Sequence, residues 1–241
     1  MYGWRLTLSA ILISLLCMGV QSAEKNSLSS EIPVMSIKGP IGPAVSEYLT
    51  SEINAANSQN TSPIIIITLD TPGGLVSSLR DINQTILASN IPIACLVYPK
   101  GARAASAGTY ILYACHVAAM AKATTLGAAT PVQIGPSGPS PDKISPAEKG
   151  DNEKPDNLTP SAMEKKVLND AIAYIRSLAQ LRGRNEKWAE LAVTEAATLT
   201  ASEALALNVI DLIAESPQQL IASLDGRVVD LGDTKITLDL K

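Results

Sequence analysis

The chain has 241 residues, 46% of them hydrophobic and 3% aromatic, and a formal net charge of −4. This length accommodates one or two domains, and this apolar share fills a sizeable core. The absence of a basic patch or interleaved aromatic pattern excludes nucleic acid as an expected partner, and a lone histidine, His116, rules out a histidine-based metal site.

The N-terminus opens with "MYGWRLTLSAILISLLCMGVQSAEK", in which Arg5 precedes an apolar run from Leu6 to Val20. That order predicts a secretory signal peptide spanning residues 1–22, with Val20 and Ser22 at positions −3 and −1 of the cleavage site. The run falls short of the roughly 20 apolar residues that span a bilayer, and an uncleaved N-terminal anchor is the alternative. Cys17 is not read as a lipidation site, because Leu16 stands where a small residue would be needed. Residues 23–241 are then one exported domain. Its two cysteines, Cys95 and Cys115, lie in apolar runs and are expected as buried thiols, or as one bridge if they face each other.

After the leader, "IPVMSIKG" predicts a strand and "AVSEYLTSEINAAN" a helix. "PIIIITLD" is the short β-branched run of a strand buried on both faces. "TPGG" breaks it, and "LVSSLRDINQTILASN" continues as an amphipathic helix with Leu75, Leu79, Ile82 and Ile86 on one side. "IPIACLVYP" is a second buried strand, "AASAGTYILYAC" a short helix, and "HVAAMAKATTLGAA" a strand and turn. Residues 130–160 are rich in Pro, Gly, Ser and charge, and are expected as a long flexible loop. Helical spacing resumes with "SAMEKKVLNDAIAYIRSLAQLRG" and "NEKWAELAVTE". "TASEALALN" starts with Thr200 as N-cap and Glu203 completing a capping box. A helix around "PQQLIASLD" and the strands "RVVDL" and "KITLDL" close the chain. Strands alternating with helices argue for an α/β fold with a largely parallel sheet and helices on its faces.

The chemistry centres on Ser106, set among Ala104, Ala105, Ala107 and Gly108. Small neighbours serve either tight packing at a helix start or a substrate's close approach to a nucleophile. The serine does not fit the G-x-S-x-G elbow, because Ala104 occupies the first glycine. His116 is read as a hydrogen-bonded core residue rather than a base. "GPSGPS" is not a phosphate loop, since its prolines remove the donors such a loop needs. A lysine in an apolar setting, where the ammonium is disfavoured, is a usable base for a serine instead. The turn "LDTPGG" at 69–74 offers Gly73 and Gly74 amides to an oxyanion, and the Ala107 amide at the helix start is another donor. By itself such a turn is an ordinary strand-to-helix connection; its pairing with the serine segment gives it weight.

Taken together, "LDTPGG", "ARAASAGTYI" and "AIAYIRSLAQLRGRN" resemble the N-terminal protease domain of the NfeD family, and the likeness covers nearly all of the expected mature chain. That family comprises membrane-associated serine proteases of the Clp-protease class, related to signal peptide peptidase A. The resemblance implies a Clp/crotonase-type fold, a Ser–Lys dyad, and endopeptidase activity on apolar segments, notably of stomatin-like membrane proteins. It also implies a homodimer, and with the export expected from the leader it gives a periplasmic or extracytoplasmic location at the membrane. It calls for no cofactor and no metal. The nucleophile falls on Ser106. The family's lysine, at the start of the helix bearing this motif, falls on Lys166, eight residues before Tyr174; the adjacent Lys165 is the competitor. Lys143, Lys149 and Lys154 lie in the polar loop, where desolvation is not expected. Two other readings stay open: a crotonase-like acyl-CoA enzyme, and a protease-like scaffold that binds a stomatin-like protein without cutting it.

Overall fold

A computed structural model describes residues 32–131, 162–232 and 234–240. The expected leader, most of the expected loop, and Lys143, Lys149 and Lys154 lie outside these residues. The strands are β1 (Val34–Lys38), β2 (Ile65–Asp70), β3 (Ile93–Val97), β4 (Arg103–Ala105), β5 (Val117–Met120), β6 (Thr125–Gly127), β7 (Thr198–Thr200), β8 (Leu212–Ile213), β9 (Val228–Asp230) and β10 (Lys235–Thr237). The helices are α1 (Pro43–Gln59), α2 (Val76–Leu87), α3 (Ala107–Ala114), α4 (Ala162–Leu181), α5 (Glu186–Thr194), α6 (Ala201–Ala206) and α7 (Pro217–Leu224).

The main sheet has the order β1-β2-β3-β5-β8, and all its neighbours are parallel. Strand β2 explains why both faces are covered. Ile65, Ile67 and Leu69 alternate into a core shared with Leu49 and Ile53 of α1, Leu79, Ile82 and Ile86 of α2, and Ile175 and Leu178 of α4. Ile66 points the other way, into a second cluster closed by Leu220 and Leu224 of α7 and by Val229 and Leu238. Each fully buried isoleucine contributes about 1.5–3 kcal/mol relative to exposure, which makes the β-branched run the anchor of the molecule. The expected α/β architecture is therefore present.

Two local readings change. Leu75, expected on the apolar side of α2, is the residue before the helix and is 41% exposed. "AAS", expected as the start of the helix "AASAGTYILYAC", instead holds the end of β4, with Ala104 and Ala105 in the strand and the helix beginning at Ala107. These small residues carry no periodicity of their own. Pairing decides their state: β4 lies parallel to β6, and β6 lies antiparallel to β7, in a separate small sheet. The expected capping box of α6 is present, with Glu203 accepting from the Thr200 backbone N–H at 2.8 Å. Cys95 and Cys115 do face each other and are joined as a disulfide, their Cα atoms 6.0 Å apart, rather than standing as free thiols.

Candidate active site

The chain leaving β2 turns directly onto β4. The Thr71 N–H donates to the Arg103 carbonyl at 2.7 Å, and the Ala105 N–H donates to the Thr71 carbonyl at 3.0 Å. This crossing brings the "TPGG" turn against the residue that follows β4, which is Ser106.

Ser106 caps the N-terminus of α3 at φ 50°, ψ −118°. A positive φ in a residue other than glycine costs about 1–3 kcal/mol and persists only where the surroundings impose it. Here the Ser106 N–H donates to the Gly127 carbonyl at 3.0 Å, and its carbonyl accepts from the Thr109 N–H at 2.9 Å. The Thr109 hydroxyl lies 2.9 Å from the carbonyls of both Ala104 and Gly127 and accepts the Gly127 N–H at 3.2 Å. One buried threonine thus ties β4, β6 and the helix start together. Among the described residues the Ser106 hydroxyl has no hydrogen-bond partner, and it faces a cleft.

Gly73 sits against this serine with φ +109°, and a Cβ added there would lie 2.5 Å from Ser106 Cβ and 3.0 Å from its Oγ. A Cβ on Gly74 would strike the backbone of Ile41. Only glycines admit this close approach. The amides divide into two kinds. The Gly73 N–H is taken, donating to Thr71 Oγ1 at 3.0 Å, whereas the N–H groups of Gly74 and Ala107 have no acceptor among the described residues. The structure therefore brings Gly73, Gly74, Ser106 and Ala107 together, with two of the three expected amides open.

The cleft beside Ser106 is small, with a cavity volume of about 60 Å³. Its walls are largely apolar: Val76 and Leu79 of α2, Tyr110 of α3, Ala129 and Pro131, and Val167, Ala171 and Tyr174 of α4. The rings of Tyr110 and Tyr174 stack with centroids 5.9 Å apart, and the Arg80 guanidinium lies 3.6 Å from the Tyr174 ring centroid. Arg80 also pairs with Asp170 at 2.7 Å, bridging α2 to α4. The fully buried Asn83 donates to the Tyr174 hydroxyl at 3.0 Å. Burial pushes both tyrosine hydroxyls up, so the phenols stay neutral. Sequence reading missed this group; a polar Asn83 on the apolar face of an amphipathic helix was the signal available.

Lys166 stands outside this lining, and so does Lys165; Lys166 is exposed. At about 100° per residue, Lys166 stands roughly 90° from the centre of the face formed by Val167, Asp170, Ala171 and Tyr174, and Lys165 roughly 170°. Lys166 is thus at the edge of the cleft-facing side and Lys165 on the opposite side.

His116 belongs to the other end of the sheet. Its Nδ1 accepts from the Ile93 N–H at 3.1 Å, where β3 and β5 begin, whereas Ser106 lies beyond the C-terminal end of β2. Burial, reinforced by the charges of Arg182 and Arg184, pushes its pKa down to about 3, so the ring is neutral. No group of three or more His, Cys, Asp or Glu side chains that could hold a metal is found among the described residues.

A parallel sheet, a small second sheet that presents a strained serine at a helix start, and a glycine turn beside it define the Clp/crotonase-type fold. The chain belongs to the NfeD1b N-terminal-domain family, whose model matches residues 31–228. It is 38% identical over 193 residues to the membrane-bound protease PH1510 of Pyrococcus horikoshii, a match covering 80% of this chain and 39% of that protein. The chain thus spans about two fifths of that relative's length. A solved serine-to-alanine mutant of the 1510-N membrane-bound stomatin-specific protease superposes with a TM-score of 0.71 at 35% identity, covering 87% of this chain and 93% of that one. A lysine-to-alanine mutant of the same protease, in complex with a substrate peptide, gives 0.70 at 34% identity, covering 87% and 88%. No helix among the described residues is long and apolar enough to cross a membrane.

Proposed function

We propose that this chain is a serine endopeptidase working through a Ser106–Lys166 dyad, without ATP, metal or other cofactor. The observation that carries the reading is the company of Ser106: a hydroxyl without a partner among the described residues, held at positive φ, in one cleft with Gly74 and Ala107, whose amides are open. Ser106 Oγ attacks the scissile carbonyl while Lys166, as the free amine, takes its proton. The oxyanion of the tetrahedral intermediate is met by the Gly74 and Ala107 amides; Gly73, whose amide is engaged by Thr71, supplies clearance. Lys166 then returns the proton to the leaving amine, and water releases the acyl group by the same route in reverse. A peptide lying along α4 excludes water from the cleft edge, which favours the neutral amine the step requires.

The substrate in this reading is an apolar segment of a membrane-associated polypeptide, a stomatin-like protein in particular. The apolar cleft walls support this, as do the stomatin-specific relatives, one solved with a substrate peptide. Those relatives include a serine-to-alanine and a lysine-to-alanine mutant, the two residue types of the dyad. We further propose a location outside the cytoplasm, on the leader read from the sequence, and at the membrane, on the membrane-bound relative; the homodimer is proposed on the family resemblance alone. The exposure of Lys166 is what a non-cutting scaffold would share. Fluorophosphonate labelling with mass-spectrometric site assignment separates the two: the dyad requires labelling at Ser106 that is lost in Lys166→Ala, and a wild-type protein that stays unlabelled and cuts no apolar peptide is a scaffold.

A further inference from the structure

Every helix leaves its last carbonyls without intrahelical partners. At the end of α3 these belong to Leu112, Tyr113, Ala114 and Cys115, and two guanidinium groups take all four. Arg184 Nη1 donates to Leu112 O at 3.2 Å and Tyr113 O at 2.9 Å, and its Nη2 donates to Cys115 O at 3.0 Å. Arg182 Nε donates to Ala114 O at 2.9 Å. The Arg184 side chain is 2% exposed, and its ion-pair partner is Asp211 at 2.8 Å. The same Asp211 oxygen accepts the Ala118 N–H of β5 at 2.7 Å.

The turn that delivers the two arginines is built for the purpose. Gly183, at φ +63°, follows the end of α4; its N–H donates to Gln180 O and the Arg184 N–H donates to Ala179 O, the paired bonds of a Schellman motif. The left-handed glycine between Arg182 and Arg184 brings both side chains to the end of α3. Burying a guanidinium costs several kcal/mol unless it is met; four hydrogen bonds meet this one through Nη1 and Nη2, and only its buried Nε is left without a partner among the described residues. At the other end of α3, eight residues or about 12 Å away, stand Ser106 and the Ala107 amide. A short helix whose last carbonyls are all met moves as a rod, so its C-terminal clamp sets the axial position of its N-terminus.

We propose that Arg184, seconded by Arg182, is a positioning residue for the nucleophile: it fixes α3 along its axis and so sets Ser106 Oγ and the Ala107 amide against Gly74. The inference rests on the reading of Ser106 as nucleophile. Misplacing a reacting group by an ångström costs up to about a hundredfold in rate, and substrate binding should suffer less, because α2 and α4 supply most of the cleft.

The test compares the full chain with Arg184→Ala, Arg184→Lys, Arg184→Met and Arg182→Met. It reads the fluorophosphonate labelling rate at Ser106, and kcat and KM on an apolar peptide, per folded molecule. Arg184→Ala is expected to lose roughly tenfold to a hundredfold in kcat and labelling rate, with KM nearly unchanged. Arg184→Lys should stay low, since one ammonium cannot span three carbonyls and a carboxylate. Added guanidinium ion should recover part of the loss in Arg184→Ala but not in Arg184→Met, whose side chain fills the space. Folded Arg184 variants that label at the wild-type rate overturn the proposal. If those variants do not fold, Arg182→Met decides, because it gives up a single bond: a severalfold slower labelling rate supports the proposal and a wild-type rate overturns it. Absence of labelling at Ser106 in the wild type overturns the nucleophile reading and this inference with it; normal labelling there, unaltered in the variants, overturns this inference alone.

Discussion

Gly73 lies so close to Ser106 that the Cβ it lacks would sit 2.5 Å from the serine Cβ. The contact joins two segments 33 residues apart and makes one residue's absent side chain the condition for the other's position. Gly73→Ala is therefore expected to displace Ser106 and to strain a backbone at φ +109°, where alanine is disfavoured by about 1–3 kcal/mol. Labelling of Ser106 should fall by more than about a hundredfold, accompanied by a lower thermal midpoint. Wild-type labelling in a folded Gly73→Ala protein would show that the serine has another stable position.

Ser106 is itself strained, and strain predicts an inverse relation between activity and stability. Replacing it by glycine removes the side chain that resists φ 50°, ψ −118°, whereas alanine keeps the resistance. Ser106→Gly should exceed Ser106→Ala in unfolding free energy by roughly 1 kcal/mol, with both inactive. Urea titrations of the two proteins measure the difference; an alanine variant that is the more stable refutes the strain.

The two adjacent lysines should behave unequally. Lys166 borders the cleft-facing side of α4 and Lys165 points away from it, so Lys166→Ala is expected to abolish cleavage and Lys165→Ala to retain most of it. Both are exposed surface substitutions, so stability should change by no more than about 0.5 kcal/mol. Steady-state cleavage of an apolar peptide decides between them, and a reversed outcome assigns the base to Lys165.

His116 predicts an acid limb in stability rather than in catalysis. Its folded pKa of about 3 lies well below the ordinary value of about 6.5. Between these values the unfolded chain binds a proton that the folded chain refuses. The contribution of His116 is thus whole above about pH 6.5 and is lost as pH falls toward 3, at up to about 1.4 kcal/mol per pH unit. Asparagine can still accept the Ile93 N–H but cannot titrate. His116→Asn should therefore flatten the fall in urea midpoint between pH 7 and pH 5 while keeping cleavage. An unchanged slope would place the acid sensitivity elsewhere.

Much of this architecture is legible from the chain because it rests on local signals. The alternation within "PIIIITLD" reports a strand covered on both sides, and the Thr200–Glu203 pair marks a helix start. The glycine turn and Ser106 are recognisable as partners once read together. What sequence does not carry is settled by pairing at a distance. Arg103–Ala105 becomes a strand only through Thr71 and β6, and Cys95 meets Cys115 only because a strand and a helix end come side by side. Leu75 turns outward because the helix begins one residue later. The tyrosine and arginine lining of the cleft with the buried Asn83 behind it, and the clasp on α3 by Arg182 and Arg184, join segments that no periodicity relates.

The crossing of Thr71 over β4 has a consequence for when the chain can act. The proposed oxyanion donors come from two separate crossovers, Gly74 after β2 and Ala107 after β4, and Ser106 is bent into place by Gly127 from a third segment. None of these pieces makes a site alone, and each is placed by contacts between segments far apart in the chain, a kind of pairing that is slow to form. A chain that has not finished folding therefore holds every group of the proposed site while lacking any arrangement of them. In the proposed reading, hydrolytic capacity comes only with the finished fold.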